Sequence, residues 1–417
     1  MIDVEIAGAS FAGLACARTC AARGLRTVVW ERKSDPGQGV RTTGLLVKEA
    51  ADEEDPPLEA TRRIHGVRLY GPSLRWVDLD APGYYFLATD TPALLRAMAE
   101  RAEAAGAEIR CGQEFRASAR SGRVLVGADG PRSRVARDMR LGANRAFLSG
   151  VEAELSDVRG VEERLHVFLD SRLAPGYIGW VVPGVGITQV GLATRVPARP
   201  DLARFLERIS SVFDLSAARR EGTRGGLIPV GGPVRPYATR DVALVGDAAG
   251  LVSPLTAGGI HTALRSGRTA GIAIASHLLD GGPALDRALR GAYPRSIRKR
   301  SMRAAMDLHP PNALINFALD SPSFRAIARA VFFHHRSLLS PTGWLEGARI
   351  APPDGAARDH VVDHAARFRL LGPEDEVLVR VPPTVRSSRH DPTPAAWGDV
   401  GGDWDSRLES LRRYVER

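Results

Sequence analysis

Gly8-Ala9-Ser10-Phe11-Ala12-Gly13 follows the short apolar run Val4–Ala7 and opens a helix-forming segment that extends from about Ala12 to Arg23. A strand that passes through a glycine turn into a helix is built to hold a dinucleotide pyrophosphate. The first glycine makes the turn, the last lets the helix close on the sheet, and the positive helix N-terminus attracts the anion. Ser10 stands where a middle glycine is usual, and its small side chain still lets the backbone approach a phosphate. The next apolar strand, Thr27–Trp30, ends at Glu31, 18 residues beyond Gly13, where a carboxylate can accept from adenosine ribose hydroxyls. Arg32 follows directly and is grouped with this site. An exposed strand-end glutamate is the competing reading of Glu31.

From Val4 to Glu31 the pattern is one βαβ unit. His65–Tyr70, Leu74–Leu79 and Tyr84–Ala88 are short β-like runs separated by Gly and Pro, which suits an antiparallel sheet. A helix over Ala93–Ala105, stopped by Gly106, and strands at Glu108–Cys111 and Val124–Val126 return to the first layer. Alternating runs at Arg164–Asp170, Gly176–Val182 and Thr188–Ala193 resume the second sheet. Asp241–Val245 and a long helix over Gly258–Leu279 then resume the first. The expected fold class is α/β (α+β overall). A discontinuous Rossmann-type domain is expected over residues 1–60, 91–149 and 230–284, with an inserted antiparallel-sheet substrate domain over 61–90 and 150–229. A helical region is expected over 285–350, and 351–417, rich in Pro, Gly, Asp and Arg, reads as a tail whose order the composition does not fix.

With 417 residues, 44% of them hydrophobic, the chain can bury an extended core. Its net charge of +9 is carried almost wholly by arginine, with lysine only at Lys33, Lys48 and Lys299. The densest basic run, Arg295–Arg303, has no aromatic residue to stack on bases, so no nucleic-acid partner is expected. It reads first as a solvated helix face, with a peripheral membrane or polyanion contact as the alternative. Cys16, Cys20 and Cys111 are too few for a disulfide framework and read as thiols in a reducing compartment. No metal is expected. Lacking a basic leader or a run long enough to span a bilayer, the chain is expected to be cytoplasmic, at most peripheral to a membrane.

Two further glycine turns follow apolar strands. Val245-Gly246-Asp247-Ala248-Ala249-Gly250 leads through Pro254 to Gly258-Gly259-Ile260 at a helix start. An aspartate placed there can bond a flavin's ribitol hydroxyl. Amides at Gly258, Gly259 and Ile260 can face the pyrimidine edge of the isoalloxazine, where reduced flavin is negative. The other turn is Gly127-Ala128-Asp129-Gly130-Pro131-Arg132-Ser133. In this order and spacing the three turns resemble the glutathione-reductase-type FAD fold of flavoprotein monooxygenases and of the geranylgeranyl reductase family. That resemblance implies FAD as cofactor, with Asp247 as the flavin-facing aspartate and Asp129 and Gly130 in a dinucleotide-facing turn.

Pro175–Pro183 is similar to that family's Y-x-x-W-x-F-P motif, with Val182 in place of Phe, and implies Tyr177, Trp180 and Pro183 as substrate-binding residues. Period-two alternation would put Tyr177, Gly179, Val181 and Pro183 on one strand face and Trp180 and Val182 on the other, unless a bulge intervenes. Ordinary core packing of these aromatics is the competing reading. Gly226-Leu227-Ile228-Pro229 is also similar, and the resemblance covers roughly residues 1–279. The chain departs from the family in three places. Gly39–Gly44 carries no Cys, an Arg is missing before the helix at Ala93, and the C-terminal region matches nothing in the family.

The implied activity is reduction of C=C bonds in a small apolar, isoprenoid-like molecule. His261 and Tyr177 are the candidate proton donors. Only one dinucleotide fingerprint is present, so electrons would come from NAD(P)H docking transiently or from a reduced redox protein. Arg41 and Lys48 lie in a loop that, in this superfamily, approaches the pyrophosphate or isoalloxazine; solvent-facing cations are the alternative. Two other functions fit the same elements: a flavin-dependent monooxygenase of an aromatic or alkene substrate, and a non-catalytic flavin-binding protein.

Overall fold

A computed structural model describes residues 1–293 and 297–333, apart from the side chains of 298 and 299. The expected tail at 351–417 and the Arg295 end of the basic run lie outside the described residues.

Five short parallel strands form the first sheet, in the order Val242–Leu244, Val124–Gly127, Val4–Ala7, Thr27–Glu31, Glu108–Cys111. Its three central strands are buried along nearly their whole length, as their Val- and Ile-rich runs require of a sheet covered on both faces. Helix Phe11–Ala21 packs on Thr91–Ala104 and on Ile260–Leu279. A methyl at Gly267 would fall 2.2 Å from the Ala12 carbonyl oxygen, and one at Gly271 would fall 2.7 Å from Thr19 Cβ. Glycine at both places lets the two helices meet almost backbone to backbone, which sets the depth at which the first glycine turn sits.

The second sheet has seven strands in the order Arg219–Pro229, Phe147–Ser156, Thr188–Arg195, Gly179–Pro183, Leu165–Phe168, Val67–Tyr70, Trp76–Leu79. It is antiparallel except where Leu165–Phe168 pairs in parallel with Val67–Tyr70. Phe86–Thr89 leaves this sheet and joins Leu45–Val47 and Thr61–Ile64 in a separate three-stranded sheet. On one face of the large sheet Val181, Leu192 and Phe168 pack against Phe205 and Ile209 of helix Leu202–Ile209. A methyl at Gly179 would sit 2.5 Å from the Phe205 ring, so glycine there lets the ring close on the strand. Another apolar cluster forms from Leu148, Tyr177, Ala193 and Val230, with Ile178, Trp180, Ile228, Ala257 and Met306 against it.

Helices Ile297–Asp307, Asn312–Asp320 and Pro322–Phe332 follow. Asn312 donates to Asp170 at 2.8 Å, Asn316 accepts from the Ser73 amide at 3.2 Å, and Phe333 packs edge-on against Tyr84. The fold is α/β: a parallel Rossmann-type sheet drawn from separated stretches of chain, a separate, largely antiparallel sheet, and C-terminal helices.

Candidate functional site

The three glycine turns emerge side by side at the C-terminal ends of adjacent parallel strands. The Ala128 amide donates to the Ala7 carbonyl at 2.9 Å, and the Val245 amide donates to Gly127 at 3.0 Å. Gly8, at φ +106°, lies so close to the second turn that a methyl there would stand 2.5 Å from the Ala128 carbonyl oxygen. A methyl on Gly13 would stand 1.9 Å from the Gly8 oxygen, and one on Gly246 would stand 2.9 Å from Ala12 Cβ. Asn144 ties the remaining pair together, donating to the Pro131 carbonyl at 3.0 Å and the Asp247 carbonyl at 2.8 Å. One mouth is therefore lined by all three turns, as a crevice at the strand ends of an open α/β sheet requires.

Ser10 is exposed at the helix entrance, and its hydroxyl caps no helix amide. Glu31 is 6% exposed and accepts from the Ala9 amide at 2.8 Å and the Lys33 amide at 3.0 Å. The carboxylate thus pins the first glycine turn, while each oxygen keeps a second lone pair for another donor. Arg32 is exposed beside it. Burial pulls the Lys33 ammonium below its ordinary value, Glu31 opposes this, and the nearby Arg32 and Arg41 reinforce it. Lys33 was not singled out from sequence, although its place two residues after Glu31 was a usable signal.

Asp129 turns toward its own chain. Its Oδ2 accepts from the Arg134 and Val135 amides at 2.6 and 3.0 Å, and its Oδ1 is buried without a partner. Asp247 keeps part of its surface open, and burial of the carboxyl pushes it up to about 6. Its Oδ1 faces Gly259, where a methyl would lie 3.5 Å away. Ile260 begins the helix, with Gly259 as its cap.

His261 is placed differently from the sequence expectation. Its Nε2 is 3.7 Å from Glu53 Oε1, on helix Lys48–Glu54. Arg268 bridges Glu53 at 2.8 Å and also pairs with Glu54. Burial works to raise the Glu53 carboxyl, and His261 and Arg268 outweigh it. His261 therefore joins an ionic cluster between two helices. Lys48 pairs with Asp52 at 2.5 Å and lies over the Tyr85 ring, whereas Arg41 packs beside Gly226 on the large sheet.

Tyr177 and Trp180 enter the same apolar cluster instead of opposite faces. Tyr177 precedes strand Gly179–Pro183, in the turn closed by its amide on the Ala174 carbonyl, so strand alternation does not govern it. Its hydroxyl donates to the Thr256 carbonyl, two residues before Gly258. Burial lifts the phenol well above its ordinary value. The Trp180 indole donates to Glu152 Oε2 at 2.6 Å, and its ring packs against the cluster that Ala257 also meets. Pro183 is buried at the end of the strand, opposite Thr188. Ala257 itself adopts φ +50°, a left-handed conformation that a non-glycine residue holds only where its surroundings fix it.

Residues 6–51 match the model of an NAD(P)-binding Rossmann-like domain. A digeranylgeranylglycerophospholipid reductase from Methanothrix thermoacetophila is 30% identical over 319 residues, covering 67% of this chain and 79% of the relative. The chain belongs to the geranylgeranyl reductase family. Another relative, the geranylgeranyl diphosphate reductase of Rhodobacter capsulatus, is 27% identical, with 68% of this chain and 77% of that one aligned. Among solved structures, a geranylgeranyl bacteriochlorophyll reductase-like protein from Thermoplasma acidophilum superposes with a TM-score of 0.70 at 21% identity, over 80% of this chain and 97% of that one. A flavin-dependent brominase shares the fold more distantly, with a TM-score of 0.60 at 16% identity over 80% of this chain and 93% of that one. As a member of this family the chain is an oxidoreductase. Among the described residues, no helix is long and apolar enough to cross a membrane, and no group of three or more His, Cys, Asp or Glu could hold a metal.

Proposed function

We propose that the chain binds FAD across the three turns and reduces carbon–carbon double bonds of an apolar, isoprenoid-like substrate. The residues present fit FAD. Gly8 and Gly13 let the first turn and its helix close where side chains would meet backbone, which leaves the turn's amides for a pyrophosphate, Glu31 retains acceptor capacity at the ribose end, and Asp247 faces Gly259 at the helix start. FAD, when bound, supplies the two-electron chemistry.

The observation that carries the substrate reading is the Tyr177 hydrogen bond to Thr256, with Trp180 and Ala257 both packed against the apolar cluster that holds Tyr177. It sets an apolar wall against the residues that lead into the flavin-facing glycines. Apolar side chains there desolvate a hydrocarbon chain and exclude water from the reacting carbons. The Tyr177 proton is engaged by a backbone carbonyl, so Tyr177 orients the wall and the proton for the second carbon comes from water. Electrons arrive from NAD(P)H docking transiently or from a reduced redox protein.

Anaerobic incubation of dithionite-reduced protein with a geranylgeranyl lipid, followed by mass spectrometry, tests this reading. Saturated product formed without oxygen is expected; product that appears only with oxygen would instead mark a monooxygenase.

A peripheral membrane contact belongs to the same reading. Leu314 and Phe317, one step of three apart on helix Asn312–Asp320, are 55% and 75% exposed, Leu308 just before that helix is 82% exposed, and Arg325 and Arg329 are exposed nearby in sequence. Met306, two residues before Leu308, packs in the cluster of Tyr177 and Trp180. In vesicle flotation, Phe317→Asp is expected to weaken binding to anionic phosphatidylglycerol vesicles by about tenfold or more.

A further inference from the structure

Four neighbouring strands of the large sheet carry, at one level, Arg224, Glu152, Gly191 and Trp180. Glu152 is in register with Arg224 on one side and with Gly191 on the other, and Gly191 is in register with Trp180. The glycine in this row makes a trough. A methyl there would stand 2.5 Å from the Trp180 ring, so the indole lies across Gly191 and reaches Glu152 at 2.6 Å. Arg224 meets the same carboxylate from the opposite strand at 2.7 Å. A third donor comes from outside the sheet: Thr43, in the loop of the Rossmann part, gives its hydroxyl to Glu152 Oε2 at 2.6 Å. Glu152 is only 4% exposed. An ionised carboxylate so buried is stable only while its donors stay in place, so the three contacts stand or fall together.

We propose that Glu152 is a positioning residue that fixes the Trp180 wall and the Gly39–Gly44 loop in one arrangement. Trp180 on one side packs against the same apolar cluster as Ala257, the residue before the Gly258–Gly259 helix start; Thr43 on the other side holds the loop that bears Arg41. The shape of the apolar wall and the closure of the loop are set by the same carboxylate. As a statement about substrate the proposal rests on the function argued above, but its test does not.

Amide hydrogen exchange of the purified chain, followed by mass spectrometry, reads loop opening with or without FAD. Thr43→Val removes one charge-assisted bond and is expected to speed exchange over residues 39–44 by about tenfold. Strand Thr27–Glu31 should be unchanged, and Thr43→Ser should restore the parent rate. Glu152→Gln is expected to open the same segment, and the two changes together to add little further, because they break one linkage. Gly191→Ala should lower the melting temperature, and adding Trp180→Phe should recover part of that loss by emptying the trough. Unchanged exchange over 39–44 in Thr43→Val, or additive effects of Thr43→Val and Glu152→Gln, would overturn the proposal. If wild-type protein bound no FAD while the exchange results held, the functional reading would fail and the positioning role would stand.

Discussion

Protein carrying Gly13→Val is expected to purify without FAD. A methyl at Gly13 already falls 1.9 Å from the Gly8 carbonyl oxygen and 3.3 Å from Ala128 Cβ, and valine adds two more carbons to a space that holds none. The contact is with backbone on one side, so no rotamer relieves it. Either the helix backs away from the strand or the glycine turn unwinds, and both remove the amides that would face a pyrophosphate. Gly13→Ala meets the same oxygen and is expected to weaken FAD binding by more than tenfold while far-UV circular dichroism shows the fold retained. A folded Gly13→Val protein as yellow as the parent would mean that the pyrophosphate lies elsewhere.

Asp247 yields the other large effect. Loss of its carboxylate in Asp247→Ala removes the acceptor proposed for the ribitol hydroxyl and is expected to lower FAD affinity by roughly tenfold to a hundredfold. The same residue has a pH signature in the FAD-free protein. Burial lifts its carboxyl from an ordinary 3.8 to about 6, so the folded state holds the proton more tightly than the unfolded chain does. The contribution of this group to stability is therefore complete below about pH 4. It declines as pH rises through 6 and is flat above that. Asp247→Asn carries no ionisable group and should escape the decline. Its melting temperature should exceed that of the wild type at pH 8 and match it at pH 4. Equal melting temperatures at pH 8 would show that the carboxyl is solvated in the folded chain.

The Rossmann part was legible because its signals are local. Gly8, Gly13 and Glu31 belong to one strand–turn–helix–strand unit, and the Asp129 and Asp247 turns each follow an apolar strand directly. What sequence could not give was contact between stretches far apart in the chain. His261 was read by its nearness to Gly259, yet its ring turns to Glu53, 208 positions earlier in the sequence. Tyr177 was read by strand alternation, and the strand begins only at Gly179. Asp129 offered the same residue type as Asp247 and is engaged in capping the helix Arg134–Asp138.

Glu152 left a fainter trace, an acidic residue inside the run Phe147–Leu155. Its meaning depends on the register of four strands, and a slip of one residue would send it to the other face. The small sheet at Phe86–Thr89 escaped for a similar reason: short β-like runs announce themselves without naming their partners. Helices in the region 285–350 were expected, but their anchorage through Asn312, Asn316 and Phe333 has no motif to announce it.

Three glycine turns holding one flavin can be tested directly by denaturing the purified protein and measuring the released cofactor by absorbance and mass spectrometry. FAD at one molecule per chain is the expected result. Chain that stays colourless after incubation with excess FAD, with its fold intact, would contradict it.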